Sequence, residues 1–244
     1  MRNLLLVLRY NGTNFHGWQI QPNGNTVQQE LCNAFKNISG KDENIIGCSR
    51  TDAGVHANMF FCNVRTECNV PTEKIPDALN FYLPPEISVY DCKEVDYDFH
   101  ARYDSRGKEY VYLIYNGRYR NPFYEDKAMF YPYELDAEML DKEAKSFIGT
   151  HDFSAFCSVG SEVQDKTREI YDCSVVRNGE IVEIKINGNG FLYNMVRIIV
   201  GTLLDIQRGK IEKGTISQII ESRNRDKAGV TAEACGLYLN KVYY

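Results

Sequence analysis

Long apolar runs are missing from this 244-residue sequence. The first apolar run is five residues long, Leu4 to Leu8, and Arg9 interrupts it. A signal-peptide core needs roughly 7–15 apolar residues, and a membrane-spanning helix needs about 18 or more. The sequence therefore predicts neither element, no membrane partner, and a cytoplasmic protein.

Motifs for metal ions and nucleotide cofactors are also missing. The eight cysteines form no C-x-x-C pair, since the two nearest are Cys62 and Cys68, and the four histidines are dispersed. Gly188-Asn189-Gly190 is too short for a phosphate-binding loop. We therefore expect free thiols in a reducing compartment, no metal site and no cofactor.

A surplus of positive charge is absent as well. The chain has 28 Lys and Arg against 33 Asp and Glu, a net charge of −5 that argues mildly against a nucleic-acid partner. From Arg102 to Arg120, however, five basic residues outnumber two acidic ones. Because exposed charges are screened beyond about 10 Å, this stretch fits either a local basic cleft or a strand edge guarded by charge.

The order of apolar segments predicts an α+β protein. Strand, helix, strand, strand, helix and strand are followed by a broadly similar series, so we expect two halves, residues 1–105 and 106–244. Mostly antiparallel sheet with helices on one face is the natural packing for this order.

Local signals define individual elements. Thr26 and Gln29 form a capping box that predicts a helix start, and Asp136 predicts another. Asn178-Gly179 between two alternating runs predicts a β-hairpin, and Asn116-Gly117 is a second hairpin signal.

One polar segment, Ser49 to Ala57 (SRTDAGVHA), lies between two predicted strands. It places Arg50, Asp52 and His56 within seven residues. A neighbouring arginine favours the ionised form of a carboxylate, so Asp52 is a candidate nucleophile or general base. The alternative is an Asx-turn in which Asp52 accepts backbone N–H groups and Gly54 supplies a positive φ.

This polar segment resembles the signature of the TruA-type tRNA pseudouridine synthases, and the resemblance extends over nearly the whole chain. The other matching segments are Tyr10–Gln19 (YNGTNFHGWQ), Asp98–Arg102 (DFHAR), Lys108–Tyr112 (KEYVY), Phe191–Gly201 (FLYNMVRIIVG) and Gly236–Leu239 (GLYL). The resemblance implies the pseudouridine synthase fold, with a catalytic cleft between the two halves.

The resemblance also implies the reaction, which is isomerisation of uridine to pseudouridine at positions 38–40 of the tRNA anticodon stem-loop. Uracil is detached from C1′ of the ribose, turned and rejoined through C5, and this needs no cofactor or metal. The expected partners are tRNA and a second copy of the chain.

Site residues are carried over by position. Asp52 corresponds to the catalytic aspartate, which attacks C1′ or uracil C6 or removes a ribose proton; the sequence leaves these three routes open. Arg50 is expected to fix the carboxylate and hold the extruded nucleotide, Tyr110 to pack on the target base, and Arg197 to face the aspartate. Without the resemblance, Tyr110 is a cross-strand packing residue and Arg197 an exposed helix residue. Candidate contacts to the RNA backbone are His56, Arg102, Arg106, Lys108, Lys166 and Arg168.

Two other classes of function fit parts of the sequence. The stretch from Arg106 to Tyr112 partly resembles the RNP1 strand of an RNA-recognition motif, but Lys108 and Glu109 stand where that motif needs an aromatic and a small residue. Such a module would bind tRNA and leave uridine unchanged. The third class is a structural α+β protein that does not bind RNA.

Overall fold

The computed structural model describes residues 1–161 and 163–244, and the chain forms two compact units. The first unit contains residues 1–106 and 238–244, and the second contains residues 107–237. The C-terminal strand therefore belongs to the first unit, although the sequence series placed it in the second half. The reason is strand pairing, because Tyr238 and Leu239 lie beside His56 and Ala57 in a parallel ladder.

The described part of the chain contains ten strands and five α-helices. The strands are β1 (Arg2–Tyr10), β2 (Ile45–Gly47), β3 (His56–Thr66), β4 (Ile87–Val95), β5 (Gly107–Tyr115), β6 (Met129–Phe130), β7 (Gly149–Asp152), β8 (Thr167–Asn178), β9 (Ile181–Gly188) and β10 (Leu237–Tyr243). The helices are α1 (Val27–Ser39), α2 (Ile75–Tyr82), α3 (Ala137–Ala144), α4 (Met195–Gln207) and α5 (Ile216–Ser222). None of the helices in the described ranges is long and apolar enough to cross a membrane.

In the first unit, the strands follow the order β4-β1-β3-β10, and β2 pairs with β3. All pairs are antiparallel except β3 with β10. The apolar run Leu4–Leu8 is buried along its whole length, as expected for a strand covered on both faces. Helix α1 begins as predicted, because the Thr26 side chain accepts a hydrogen bond from the Gln29 N–H.

In the second unit, the strands follow the order β5-β9-β8-β7, and β6 pairs with β5 in parallel. Strands β8 and β9 form the hairpin predicted at Asn178-Gly179, with Asn178 opposite Ile181. The predicted cap at Asp136 is also confirmed, since its side chain accepts the Met139 N–H. Both units thus combine helices with mostly antiparallel strands, which confirms the predicted α+β class.

The hairpin predicted at the second signal, Asn116-Gly117, is wrong. The antiparallel neighbour of β5 is the distant strand β9, and the strand that follows in sequence, β6, is parallel to β5. Asn116 instead anchors a long loop, because its Nδ2 donates to the carbonyl oxygens of Tyr131 at 2.6 Å and Tyr133 at 2.8 Å. Side-chain bonds to a returning loop therefore replace the tight turn.

Candidate active site

The segment that carries Asp52 connects β2 to β3 and is fixed by the loop that follows β1. The Trp18 N–H donates to the Thr51 carbonyl at 3.1 Å, and the Gly54 N–H donates to the Phe15 carbonyl at 3.2 Å. Thr51 is buried, and its hydroxyl lies 2.9 Å from the Tyr10 hydroxyl. Asp52 itself is half-buried. The Asp52 backbone is thus held on both sides by fixed neighbours.

A main-chain turn shapes this segment. The Val55 N–H donates to the Asp52 carbonyl oxygen at 3.1 Å, and Gly54 has a φ of 77°, the positive value that the Asx-turn alternative included. Gly17 has a φ of 83°, and a Cβ there would collide with the Thr51 carbonyl, so only glycine allows the two loops to meet this closely. A main-chain hydrogen bond therefore closes this turn.

Trp18 packs in the core of this region. Its side chain is buried and stacks on Phe60 with ring centroids 4.1 Å apart. This packing holds Trp18 in place, and the backbone N–H of Trp18 anchors the Asp52 segment.

His56 occupies a buried position rather than an exposed one. Its side chain is 2 % exposed, and its Nδ1 accepts the Gly12 N–H at 3.0 Å. The ring also stacks on Tyr238 of β10 at 4.5 Å. The pairing of β10 with β3 covers this histidine, so His56 fastens the loop and is not an exposed contact for an RNA backbone.

Tyr110 lies in the middle of β5, opposite Ile186 on β9. Its ring is buried and meets Phe191 edge-on, with centroids 5.0 Å apart and an angle of 78°. The ring thus packs inside its unit, as the alternative expected, although the contact comes from Phe191 and not from a neighbouring strand. Phe191 supports the ring from the segment before α4.

Arg197 is half-buried on α4, and its Nε and Nη1 are held by nearby acceptors. Its Nε donates to the Ala232 carbonyl at 2.7 Å, and its Nη1 donates to Asn194 Oδ1 at 2.9 Å. The Ala232 N–H returns a bond to the Arg197 carbonyl at 3.1 Å. An exposed helix arginine would not be fixed in this way, so the alternative given for Arg197 does not describe it. The sequence analysis predicted neither anchor.

A buried tyrosine supports the segment that holds Arg197. Burial raises the pKa of Tyr112 well above its ordinary value, and the nearby Cys235 and Glu233 raise it further. The phenol therefore stays protonated, and its hydroxyl donates to the Glu233 carbonyl at 2.8 Å.

The remaining basic candidates differ in exposure. Arg102 and Arg106 are exposed, whereas Lys108, Lys166 and Arg168 are half-buried. Arg168 Nη1 donates to the carbonyls of Asp165 and Thr167, which ties it to the start of its own strand. Across the described residues, no group of three or more His, Cys, Asp or Glu side chains could hold a metal ion.

Arg50 is exposed and lies in the wall of a pocket in the first unit that Arg102 also lines. The structure thus brings together two basic residues that the sequence motifs placed far apart. His100 and Tyr103 line the same pocket, and Tyr103 was missed by the sequence analysis.

Comparison with known proteins defines the class. The profile of a family described as tRNA pseudouridine synthase matches residues 6–104 and 144–244. These ranges include Arg50, Asp52 and Arg197, and Tyr110 lies outside them. The matched profile identifies the class as enzymes that isomerise uridine in tRNA.

The names of two relatives agree with the profile. The tRNA pseudouridine synthase A of Caldicellulosiruptor saccharolyticus is 49% identical, and that of Acetivibrio thermocellus is 48% identical, each with 100% of both chains covered. A chain in the solved structure titled "Crystal Structure of a Cbf5-Nop10-Gar1 Complex" is similar with a TM-score of 0.43 and 12% identity, over 97% of this chain and 48% of that chain. The chain belongs to the tRNA pseudouridine synthase family, which confirms the resemblance, and it is an isomerase that acts on tRNA.

Proposed function

We propose that this enzyme converts uridine to pseudouridine at positions 38–40 of the tRNA anticodon stem-loop, and that Asp52 is its catalytic aspartate. The observation that carries the proposal is the construction of the Asp52 segment. Main-chain hydrogen bonds to Phe15 and Trp18 fix its backbone, a main-chain bond closes the turn, and Asp52 is half-buried. Such a segment holds its acidic side chain in one place for chemistry.

Each of the three routes open to Asp52 starts from the ionised carboxylate. Attack on C1′ or on uracil C6 uses an oxygen lone pair, and removal of a ribose proton uses the same oxygen as a base. We propose that Arg50 and Arg197 supply the positive charge that favours this ionised form.

The target uridine must leave the base stack before it can react. Extruding a base costs a few kcal/mol, which contacts to the flipped nucleotide must offset. We propose that Arg50 holds this nucleotide and that Tyr110 packs on its base. Contacts from Arg102, Arg106, Lys108, Lys166 and Arg168 to the RNA backbone would make binding weaken as the salt concentration rises.

The experiment compares Asp52→Ala and Asp52→Asn with the unmodified enzyme on uridine-containing tRNA, with pseudouridine mapped at each position. We expect both variants to lose at least about 100-fold in turnover, since removing a positioned acid–base group has effects of that order. Binding of tRNA should persist. Asp91→Asn, which changes an exposed carboxylate on β4, is the matched control.

Two outcomes would contradict the proposal in different ways. Equal pseudouridine formation by Asp52→Ala and the unmodified enzyme would remove Asp52 from the chemistry. Pseudouridine found only outside positions 38–40 would leave Asp52 in place and refute the position.

The family resemblance supports two further proposals about the working enzyme. We propose that it acts in the cytoplasm and that its functional form is a homodimer. Two copies of the chain would allow one tRNA to contact both.

A further inference from the structure

A pocket of about 200 Å³ opens in the first unit next to the segment that carries Asp52. Its polar and aromatic lining includes Gln19, Asn44, Arg50, His100, Arg102 and Tyr103. One water molecule needs about 10–15 Å³ of cavity volume, so this pocket has room for one ring-sized group. Arg50 is two residues before Asp52, so the pocket opens beside the segment that carries the proposed catalytic residue.

One wall of the pocket is an aromatic surface on a fixed turn. Tyr103 is 75% exposed, and its ring lies 4.2 Å from the His100 ring at an angle of 30°. His100 Nδ1 accepts the N–H groups of Arg102 at 3.2 Å and Tyr103 at 3.3 Å, and Asp104 Oδ2 accepts the His100 N–H at 2.8 Å. The turn thus fixes the imidazole, and the imidazole supports one side of an exposed tyrosine ring.

Another part of the lining rests on a buried amide. Gln28 is 7% exposed; its Oε1 accepts from Gln19 Nε2 and from the Ile20 N–H, both at 2.9 Å. Its Nε2 donates to the Ile45 carbonyl at 2.8 Å. Gln19 is therefore held in place before any ligand arrives, which lowers the entropy cost of binding.

We propose that this pocket binds one unstacked nucleotide of the tRNA substrate beside the target uridine, with its base on Tyr103 and its phosphate near Arg50 and Arg102. Bases stack on exposed aromatic rings whatever their sequence, and guanidinium groups bind phosphate with two parallel hydrogen bonds. A free anion would not use the tyrosine ring. The inference rests on the proposed function, because it assigns the occupant to the same tRNA.

The test uses tRNA transcripts that each lack one base in the anticodon loop. Stacking of one base on an aromatic ring is worth a factor of roughly 5 to 140 in affinity. We expect Tyr103→Ala to raise KM for intact tRNA within this range while kcat changes less than twofold, and Tyr103→Phe to behave like the unmodified enzyme. For the unmodified enzyme, one of the abasic transcripts should raise KM by the same factor. For Tyr103→Ala, that transcript should raise KM no further.

The matched control is Tyr97→Ala. Tyr97 is also exposed, at 51%, and has the Arg65 guanidinium 5.0 Å from its ring, but it does not line the pocket. We expect this variant to keep the KM of the unmodified enzyme. Arg102→Gln should reduce the slope of log affinity against log salt by about 0.7, the value for one phosphate of a single strand.

The proposal would be overturned if the losses from Tyr103→Ala and from the missing base were additive at every abasic position. An unchanged KM for Tyr103→Ala would also overturn it. Failure of the proposed function has a different signature. If uridines outside positions 38–40 are modified, abasic nucleotides next to those uridines show whether Tyr103 still contacts one base.

Discussion

We predict that Asn194→Gly and Asn194→Ala slow the enzyme by the same factor although the two variants differ in stability. Asn194 precedes α4 in the left-handed conformation, with φ of 60°. Its Oδ1 accepts from Arg197 Nη1, and its Nδ2 donates to Ser158 Oγ, both at 2.9 Å. The side chain is therefore a bridge to Arg197, whereas the backbone has an unfavourable φ.

The two variants separate the contribution of the side-chain hydrogen bonds to stability from the contribution of the backbone conformation. Both lose a hydrogen bond to a charged group and a neutral one, worth about 2 kcal/mol together at the low end of the usual values, which suits a half-buried site. The left-handed backbone costs alanine about 1 kcal/mol more than glycine. We expect the free energy of unfolding to fall by about 2 kcal/mol in Asn194→Gly and about 3 kcal/mol in Asn194→Ala.

Turnover should depend on the lost amide alone. Arg197 keeps its bond from Nε to the Ala232 carbonyl at 2.7 Å, so its guanidinium loses one of the two anchors described above. We expect kcat to fall about tenfold in both variants, which corresponds to about 1.4 kcal/mol of activation free energy. Single-turnover kinetics measure the rate, and urea denaturation measures the stability.

Asp126 provides the matched control, since it is exposed and has a φ of 56°. Asp126→Gly and Asp126→Ala should differ by the same 1 kcal/mol or so in stability and keep the turnover of the unmodified enzyme. Unchanged turnover in both Asn194 variants would refute the bridging role. Normal turnover in Asn194→Gly with loss in Asn194→Ala would show that backbone shape, and not the amide, matters.

Two further predictions concern stability and assembly. Burial by itself would raise the pKa of Asp141, but hydrogen bonds from the Val175 N–H and Lys145 lower it below the ordinary value. Its contribution to stability is therefore complete above the unfolded pKa of about 3.9 and disappears as the pH falls through the lower folded pKa. Asp141→Asn should lower the Tm at pH 7 and lose this effect in melts at strongly acidic pH; an equal deficit at every pH would contradict this. Sedimentation of the free protein should give the mass of two chains, and a single-chain mass at working concentration would refute the homodimer.

The two Asn-Gly pairs show how far local sequence determines the fold. Both follow β-rich segments, yet only Asn178-Gly179 forms a hairpin. At Asn116, bonds to the carbonyls of Tyr131 and Tyr133 hold a long loop instead. These partners lie 15 and 17 residues away along the chain, beyond the range of a turn signal. Capping signals such as Thr26 succeed because the donor they satisfy lies three residues away.

The candidate site was predictable where one segment carries it and not where several segments meet. The motif from Ser49 to Ala57 was enough to suggest a turn at Asp52 with a positive φ at Gly54, and both are present. The pocket joins four separate segments, so no single motif contains it. His56 shows the same limit, because its burial depends on Tyr238, a residue that arrives from the far end of the chain.

Arg197 carries a signal that points to its partners. Eleven of the thirteen residues of α4 are buried, and a charged side chain on such a helix requires an acceptor. Gly201 and Gly229 allow the segment before β10 to lie directly on α4, since a Cβ at Gly201 would collide with the Val230 carbonyl. The Gly229 N–H also donates to Thr202 Oγ1 at 2.9 Å, which fixes this contact. The Ala232 carbonyl reaches Arg197 because that contact exists. Every residue has a backbone carbonyl, so nothing in the sequence distinguishes the carbonyl of Ala232 as an acceptor. In the sequence, Gly201 and Gly229 are the residues that indicate which segment supplies it.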